Sequence, residues 1–168
     1  MVIARVAGPI AEDHLQAEVL YKDRPRVVAG TASPWSRRRR VGLADLMNEP
    51  WVLPPLDSDA GMRAIDAFRV AKVDLPRATV FSLNAVARIA LVAKGRFLTI
   101  AAEVALRFAS SGMTIKALPI DLPAMQGAVG IVTLRNRTLS PAAQLFIDCA
   151  REIANPVTRG RSVLALSR

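Results

Sequence analysis

The feature that most constrains the fold is a short buried strand that ends in two prolines and leads into a capped helix. Trp51 to Leu53 is an apolar run, and Asp57 or Ser58 can cap the helix that follows. The same order of strand, polar turn and helix recurs from Arg77 to Lys94, and again from Phe97 to about Ser110. Strands that alternate with helices of this length need crossover connections. The sequence therefore predicts an α/β fold with a largely parallel sheet.

Further strands and helices flank this repeating region. Ser82 is placed to cap the second helix, and Gly95 to end it in a left-handed conformation. Ser140 and Pro141 begin the last helix, with serine as the cap and proline in the first helical position. Its apolar residues recur on one face, which we expect to pack in the core: Ala142, Leu145, Phe146, Cys149 and Ile153. Apolar runs predict other strands at Val2–Val6, Thr114–Pro119 and Gly127–Leu134, and either two strands or one kinked strand within 17–29. A short helix is predicted at Leu43–Met47. The residues after 155 are predicted to form a tail that could hold a strand at Val163–Leu166.

The chain is basic, with a formal net charge of +9. Clustered Lys and Arg would favour contact with nucleic acid, but the positive charges are scattered apart from Arg37 to Arg40. That run lacks interleaved aromatic residues and a recognition-helix pattern, so a solvated loop is favoured over a phosphate-contacting one. The first residues lack the apolar region of a signal peptide, and the most apolar helix, Leu83 to Ala93, is shorter than the roughly 20 residues of a membrane span. We therefore expect a cytoplasmic protein that does not enter a membrane.

No constellation of catalytic or metal-binding residues accompanies these units. The only histidine, His14, lies in a polar turn, and one His with one Cys cannot complete a zinc site. Asp57-Ser58-Asp59 superficially resembles a calcium loop, but Phe68 stands where the bidentate acid belongs. No glycine-rich phosphate loop or nucleophile elbow occurs. The sequence predicts no catalytic residue, no metal and no cofactor, and an enzyme that uses Asp57 and Asp59 is the least favoured hypothesis.

The favoured function is binding of a small molecule where the helices begin. Helix N-termini offer unpaired N–H groups and a partial positive charge, which favour small anions. In open parallel sheets, ligands bind at the carboxyl ends of the strands, where those helices start. Three segments would converge there: Pro54 to Ser58, Ser82 to Asn84, and Thr99 to Ala101. The candidate contacts are therefore Pro54, Pro55, Asp57, Ser58, Ser82, Leu83, Asn84, Thr99 and Ala101, with simple helix capping as the alternative role of Ser58 and Ser82.

Three stretches together resemble the effector-binding domain of LysR-type transcriptional regulators. They are LADLMNEPWVLPP from Leu43, SLNAVARIALVAKGRFLTI from Ser82, and GMTIKALPIDLPAMQGAVGIVTLRNRTLSPAAQLFIDCAREI from Gly112. Their order and spacing are more specific than any one of them, and the resemblance covers about residues 3 to 154. It implies a type 2 periplasmic-binding-protein fold, in which two α/β lobes joined by crossing strands hold a small effector in a cleft. It assigns residues 30–118 to a nearly complete second lobe, 1–29 and 119–154 to a partial first lobe with crossing strands, and 155–168 to a tail.

The chain departs from the family pattern ahead of these motifs. Nothing in it resembles the winged helix-turn-helix and linker helix with which family members begin, or the opening half of the first lobe. Ala102 stands where many relatives have proline, and Phe97 where many have a second glycine. An incomplete lobe would leave sheet edges and apolar surface exposed. We therefore expect a homo-oligomer, a dimer that could be domain-swapped, with DNA contacted only through a missing N-terminal domain.

Two hypotheses for the function remain open. The leading one is a ligand-sensing regulatory domain that binds a small organic effector, compatible with an anion, in the cleft between the lobes and has no DNA-binding domain of its own. The alternative is a truncated homologue that acts as a dimerisation module and modulates full-length regulators. A ligand that binds only the folded chain would raise its melting temperature, which distinguishes the two hypotheses.

Overall fold

The computed structural model describes residues 1–6, 13–108 and 114–158, and the chain divides into two compact units. The smaller unit consists of Met1–Asp23 and Gln126–Arg168, and the larger one of Arg24–Met125. These boundaries differ from the expected ones at 29/30 and 118/119. The strand Arg26–Gly30 is hydrogen-bonded into the sheet of the larger unit, and residues beyond 118, such as Leu122, belong to its core.

The described residues form eight strands and four α-helices. In chain order these are β1 (Val2–Val6), β2 (Leu15–Asp23), β3 (Arg26–Gly30), β4 (Trp51–Leu53), α1 (Asp59–Val70), β5 (Ala78–Phe81), α2 (Ala85–Ala93), β6 (Leu98–Ala101), α3 (Glu103–Phe108), β7 (Ile115–Ala117), β8 (Gly127–Leu134) and α4 (Pro141–Thr158). Short 3₁₀ helices lie at Pro34–Arg37, Leu43–Leu46 and Pro123–Met125. The bounds predicted for β1, β4 and β8 are confirmed, while the predicted strand at 163–166 and helix end near 110 lie outside the described residues.

The larger unit is built on a five-stranded sheet in the order β5-β4-β6-β3-β7. β4 runs parallel to β5 and β6, and β3 lies antiparallel between β6 and β7. The prediction of a largely parallel sheet is therefore right for this unit, where only β3 runs against the others. It is wrong for the smaller unit, whose strands pair antiparallel in the order β1-β8-β2. There, β8 lies between β1 and β2 and runs antiparallel to both.

Helices cover both faces of the larger sheet. Along β4, Trp51 and Leu53 point into a core cluster that includes Phe68 of α1, whereas Val52 points into a second cluster that includes Ile89 of α2. The rings of Trp51 and Phe68 meet edge to face, with their centroids 5.6 Å apart. Burial on both faces explains why this central strand is apolar throughout. It also places α1 and α2 on opposite faces of the sheet.

In the smaller unit, α4 packs on one face of the three-stranded sheet, chiefly against β2. Ser140 begins the helix as predicted, because its hydroxyl oxygen accepts a hydrogen bond from the Ala143 amide at 3.2 Å. Arg151 on one flank of α4 donates two hydrogen bonds of 2.8 Å to the carboxylate of Glu18 on β2. The sheet-facing side of α4 includes the buried Ile147 and Ala154.

The predicted core face of α4 is wrong. Leu145, Phe146 and Ile153 are 66%, 46% and 53% exposed, and Cys149 is also exposed. The helix carries apolar residues on two faces, one around Ile147 and one around Cys149. Because both faces recur at helical spacing, periodicity alone could not decide which one meets the sheet.

Candidate functional site

The structure brings the three predicted segments to one edge of the larger sheet. β4 lies between β5 and β6 and is parallel to both, so all three strands end on the same side. The amide of Ser82, directly after β5, donates a hydrogen bond of 3.0 Å to the carbonyl of Leu53 at the end of β4. We call residues 54–58, 82–84 and 99–101 the strand-end rim. It is the arrangement that ligand sites in parallel α/β sheets use.

The first part of the rim is a tight turn that is locked to the start of α1. Ser58 is the N-cap residue, and its hydroxyl accepts from the Gly61 amide at 3.1 Å and donates to the Pro55 carbonyl at 2.6 Å. Gly61 has to be glycine, because a Cβ there would lie only 2.0 Å from the Pro55 oxygen. Pro54 is buried, Pro55 is half-buried and Asp57 is exposed. In this turn Asp57 is therefore the most accessible polar side chain.

The second part of the rim precedes α2, and its cap differs from the prediction. Asn84, not Ser82, is the N-cap residue, since its side-chain oxygen accepts from the amides of Val86 at 3.0 Å and Ala87 at 3.1 Å. The Ser82 hydroxyl instead accepts from the Asn84 amide at 3.2 Å and so stabilises the turn. Leu83 is 72% exposed, which leaves an apolar side chain in water at the rim.

The third part of the rim turns its side chains away from solvent. Thr99 is fully buried, and its hydroxyl donates a hydrogen bond of 2.6 Å to the carbonyl of Val52. Ala101 is also buried and belongs to the cluster under α2. Of the predicted contacts, Thr99 and Ala101 are therefore packing residues in this structure, while the two turns at 54–58 and 82–84 carry the accessible groups.

Arg88 is a further residue at the rim, and it was not among the predicted contacts. Its side chain bends back along α2, and Nη1 donates to the carbonyls of Ser82 at 2.6 Å and Leu83 at 3.2 Å. The residue is only 8% exposed, and burial lowers the pKa of its guanidinium below the usual value. The sequence does contain a signal for this contact. Arg88 lies four residues after the cap residue Asn84, and a long side chain at that position can reach back over the first turn of the helix.

The remaining candidates do not assemble into a second chemical site. Among the described residues, no cluster of three or more His, Cys, Asp or Glu side chains could hold a metal ion. Arg37 to Arg40 are exposed, with the Arg38 guanidinium 6.0 Å from the centre of the Trp35 ring. A cavity of about 240 Å³ between β2, β8 and α4 is lined by the Glu18–Arg151 pair, and no predicted contact lines it. No helix within the described part of the chain is long and apolar enough to cross a membrane.

The family of the chain follows from its match to the model of the LysR substrate binding domain, which extends over residues 3–155. This chain belongs to that family. A LysR substrate-binding domain has a type 2 periplasmic-binding-protein-like α/β fold, so the predicted fold class is confirmed.

Individual relatives of this LysR substrate-binding domain are transcriptional regulators. This chain is 28% identical over 121 residues to the HTH-type transcriptional regulator GbpR of Azospirillum brasilense. The aligned region covers 72% of this chain and 35% of GbpR. It is 26% identical over 143 residues to the transcriptional dual regulator GltC of Bacillus subtilis, and the aligned region covers 84% of this chain and 47% of GltC. The domain thus spans less than half the length of these relatives.

A solved structure with the same fold is the regulatory domain of Synechocystis PCC6803 CcmR in complex with 2-PG. The TM-score is 0.67 at 18% identity, and the superposition covers 90% of this chain and 73% of that domain. At this identity the likeness shows the fold alone.

Proposed function

We propose that this LysR substrate-binding domain senses a small organic effector, of the anionic class, that binds at the strand-end rim of the larger unit. The observation that carries the proposal is the hydrogen bond from Ser82 to Leu53, which holds the turns at 54–58 and 82–84 side by side. Both turns begin helices, whose N-termini favour negative charge. The exposed Leu83 adds an apolar contact beside these polar groups.

The regulatory role rests on the family rather than on catalytic chemistry. The family match from 3 to 155 is to a substrate-binding domain, and GbpR and GltC are named as regulators. We assign operator binding to a separate domain, since this chain spans under half of either relative. A cytoplasmic location follows if the domain regulates transcription.

The test is a thermal-shift screen of small organic acids, followed by calorimetric titration of any acid that stabilises the chain. A ligand present at about 100 times its dissociation constant adds ~2.7 kcal/mol to the free energy of unfolding, which raises the melting temperature by several degrees. Leu83→Glu should weaken binding at least about tenfold, because it replaces an apolar contact by a negative charge. Val70→Glu is the matched control, since Val70 is also exposed but lies at the far end of α1. Equal affinities of wild type and Leu83→Glu would contradict the rim as the site.

A second candidate function, self-association, is supported by the exposed apolar face of α4. Ile147 and Ala154 face the sheet and Arg151 bonds to Glu18 on β2, so the exposed Phe146 and Cys149 lie on sides of α4 that the sheet does not cover. On β1, Ile3 faces the same side as its neighbour Ile131, which is buried beneath the helix, yet Ile3 is exposed. An apolar groove therefore remains open beside α4.

We propose a second copy of this chain as the occupant of that groove. Leu145 and Ile153 lie four residues on either side of Cys149, so an exposed apolar side chain lies about one helical turn from Cys149 in each direction. This suits an isologous contact between two identical helices. Three large apolar side chains per copy cover less than the roughly 800 Å² per partner of a stable interface. The dimer is therefore expected to dissociate at micromolar concentration.

Light scattering over a concentration series tests this second function. Wild type should shift from monomer towards dimer, and Leu145→Glu should stay monomeric while Val70→Glu behaves as wild type. Cys149 is the only cysteine in the chain, so mild oxidation should yield a single disulfide-linked dimer. A monomer at every concentration would remove this candidate. Mixed dimers with a full-length regulator would extend it to modulation of that regulator.

A further inference from the structure

A buried positive charge without an acidic partner lies under the strand-end rim. Arg88 is more than nine-tenths buried, yet none of the ion pairs formed by the described residues includes it. Its Nε atom is buried and has no hydrogen-bond partner among the described residues. Buried charges in proteins are normally paired, because removing an ion from water is costly. The guanidinium is thus incompletely compensated.

Hydrogen bonds tie this guanidinium directly to the rim. Nη1 contacts the carbonyls of Ser82 and Leu83, and the amide of Ser82 in turn contacts the carbonyl of Leu53. The guanidinium therefore contacts the residue that follows β5, and that residue is hydrogen-bonded to the last residue of β4. The N-terminus of α2, which is nine residues long, adds a partial positive charge at the same place.

The two carbonyls that Arg88 contacts are neutral, so they orient the guanidinium without cancelling its charge. Burial also lowers the pKa of this guanidinium, because it disfavours the charged form. A negative group that binds at the rim would supply the missing charge. Its hydrogen bond to a guanidinium would be charge-assisted, which is the strong class of hydrogen bond.

We propose that Arg88 makes the strand-end rim selective for an organic acid, whose anionic oxygen atoms pair with the guanidinium. This inference rests on the proposed function, because it concerns the same site. It adds the residue that selects the ligand. Neutral molecules of the same shape should bind far more weakly, since they leave the buried charge unpaired.

The experiment compares acids with their neutral amides on the intact chain. Benzoate and succinate are titrated against benzamide and succinamide at constant ionic strength, with inorganic phosphate as a third anion, and binding is followed by thermal shift and calorimetry. The acids should raise the melting temperature and the amides should not. A response to phosphate alone would point to a phosphate ester rather than a carboxylate and would overturn the organic-acid assignment.

Variants of Arg88 provide the decisive comparison. Arg88→Gln removes the charge but keeps a donor for the rim carbonyls, and should raise the dissociation constant for the acid about 10- to 100-fold. Arg88→Lys keeps the charge and should retain part of the affinity. Arg96→Gln, an exposed residue beyond the end of α2, changes the net charge equally and should bind as wild type.

The outcomes separate this inference from the proposed function. Equal binding of acids and amides, or full affinity in Arg88→Gln, would leave a ligand site but overturn its selection by Arg88. No stabilisation by any of the five probes would overturn both. Should Arg88→Gln fail to fold, the ¹⁵N–¹H signal of Nε in wild type gives the answer: it should shift with benzoate and not with benzamide, and an unchanged signal rejects the pairing.

Discussion

Gly61, in the first turn of α1 beside the strand-end rim, is expected to tolerate no side chain. An added Cβ would meet the Pro55 oxygen at 2.0 Å and the Leu56 Cα at 2.7 Å, both of them backbone atoms that side-chain motion cannot move aside. The first turn of α1 would have to move away from the proline turn. That movement would also stretch the hydrogen bond from the Gly61 amide to Ser58, which caps the helix.

The expected cost of Gly61→Ala combines three contributions. Overpacking costs about 1–3 kcal/mol, and loss of the cap about 1 kcal/mol more. Replacement of glycine by alanine in a helix returns up to about 1 kcal/mol. The net loss is therefore roughly 2 kcal/mol, or about 4–8 °C in melting temperature for a chain of this size.

Chemical and thermal denaturation of matched variants measure this cost. Gly42→Ala is the control, because the nearest atom to its added Cβ, Asp45 Oδ2, lies at 3.5 Å and the φ angle of −91° suits any residue. Gly42→Ala should melt within about 2 °C of wild type. If Gly61→Ala proved as stable as wild type, the close approach of α1 to the proline turn would be refuted.

Four further substitutions test other parts of the structure. Thr99→Val should lower the free energy of unfolding by about 1–2 kcal/mol in denaturant titrations and leave effector affinity unchanged, since its hydroxyl bonds the buried Val52 carbonyl. Asn84→Ala should cost about 1 kcal/mol by the same assay and Ser82→Ala clearly less, because Asn84 is the cap; the reverse order would contradict that assignment. The hydrogen bond from Arg151 lowers the pKa of Glu18 below its ordinary value of 4.5, so the pair stabilises the fold above pH 4.5 and the effect is lost as acid protonates Glu18. Glu18→Gln should therefore lower the melting temperature more at pH 7 than at pH 3.

The larger unit was predictable because several local signals agree there. An apolar strand, a proline turn and a cap residue follow one another from Trp51 to Ser58, and each has the structure its residue types favour. At α2 the local signals do not agree, because Ser82 and Asn84 are both residue types that can cap a helix and lie two positions apart. Which of them begins α2 depends on the turn geometry that Ser82 itself stabilises.

The functional side chains were less predictable than the segments that carry them. Thr99 and Ala101 end a strand that is buried on both faces, so their sequence position indicated the rim while the packing of α2 determined their burial. Arg88 was overlooked because its residue type does not show whether the long side chain extends into solvent or folds back onto the Ser82 carbonyl. In α4, two apolar faces fit the same periodicity, and only the sheet beneath the helix selects between them.

The most direct test of the central claim is a map of backbone amide shifts on binding. The ¹⁵N-labelled chain is titrated with the organic acid that gives the largest thermal shift. The largest changes should fall on the amides of residues 56–58 and 82–84, since Pro54 and Pro55 have no amide proton, with small changes in the smaller unit. Largest changes in α4 or along β2, with the two turns unaffected, would contradict the strand-end rim as the effector site.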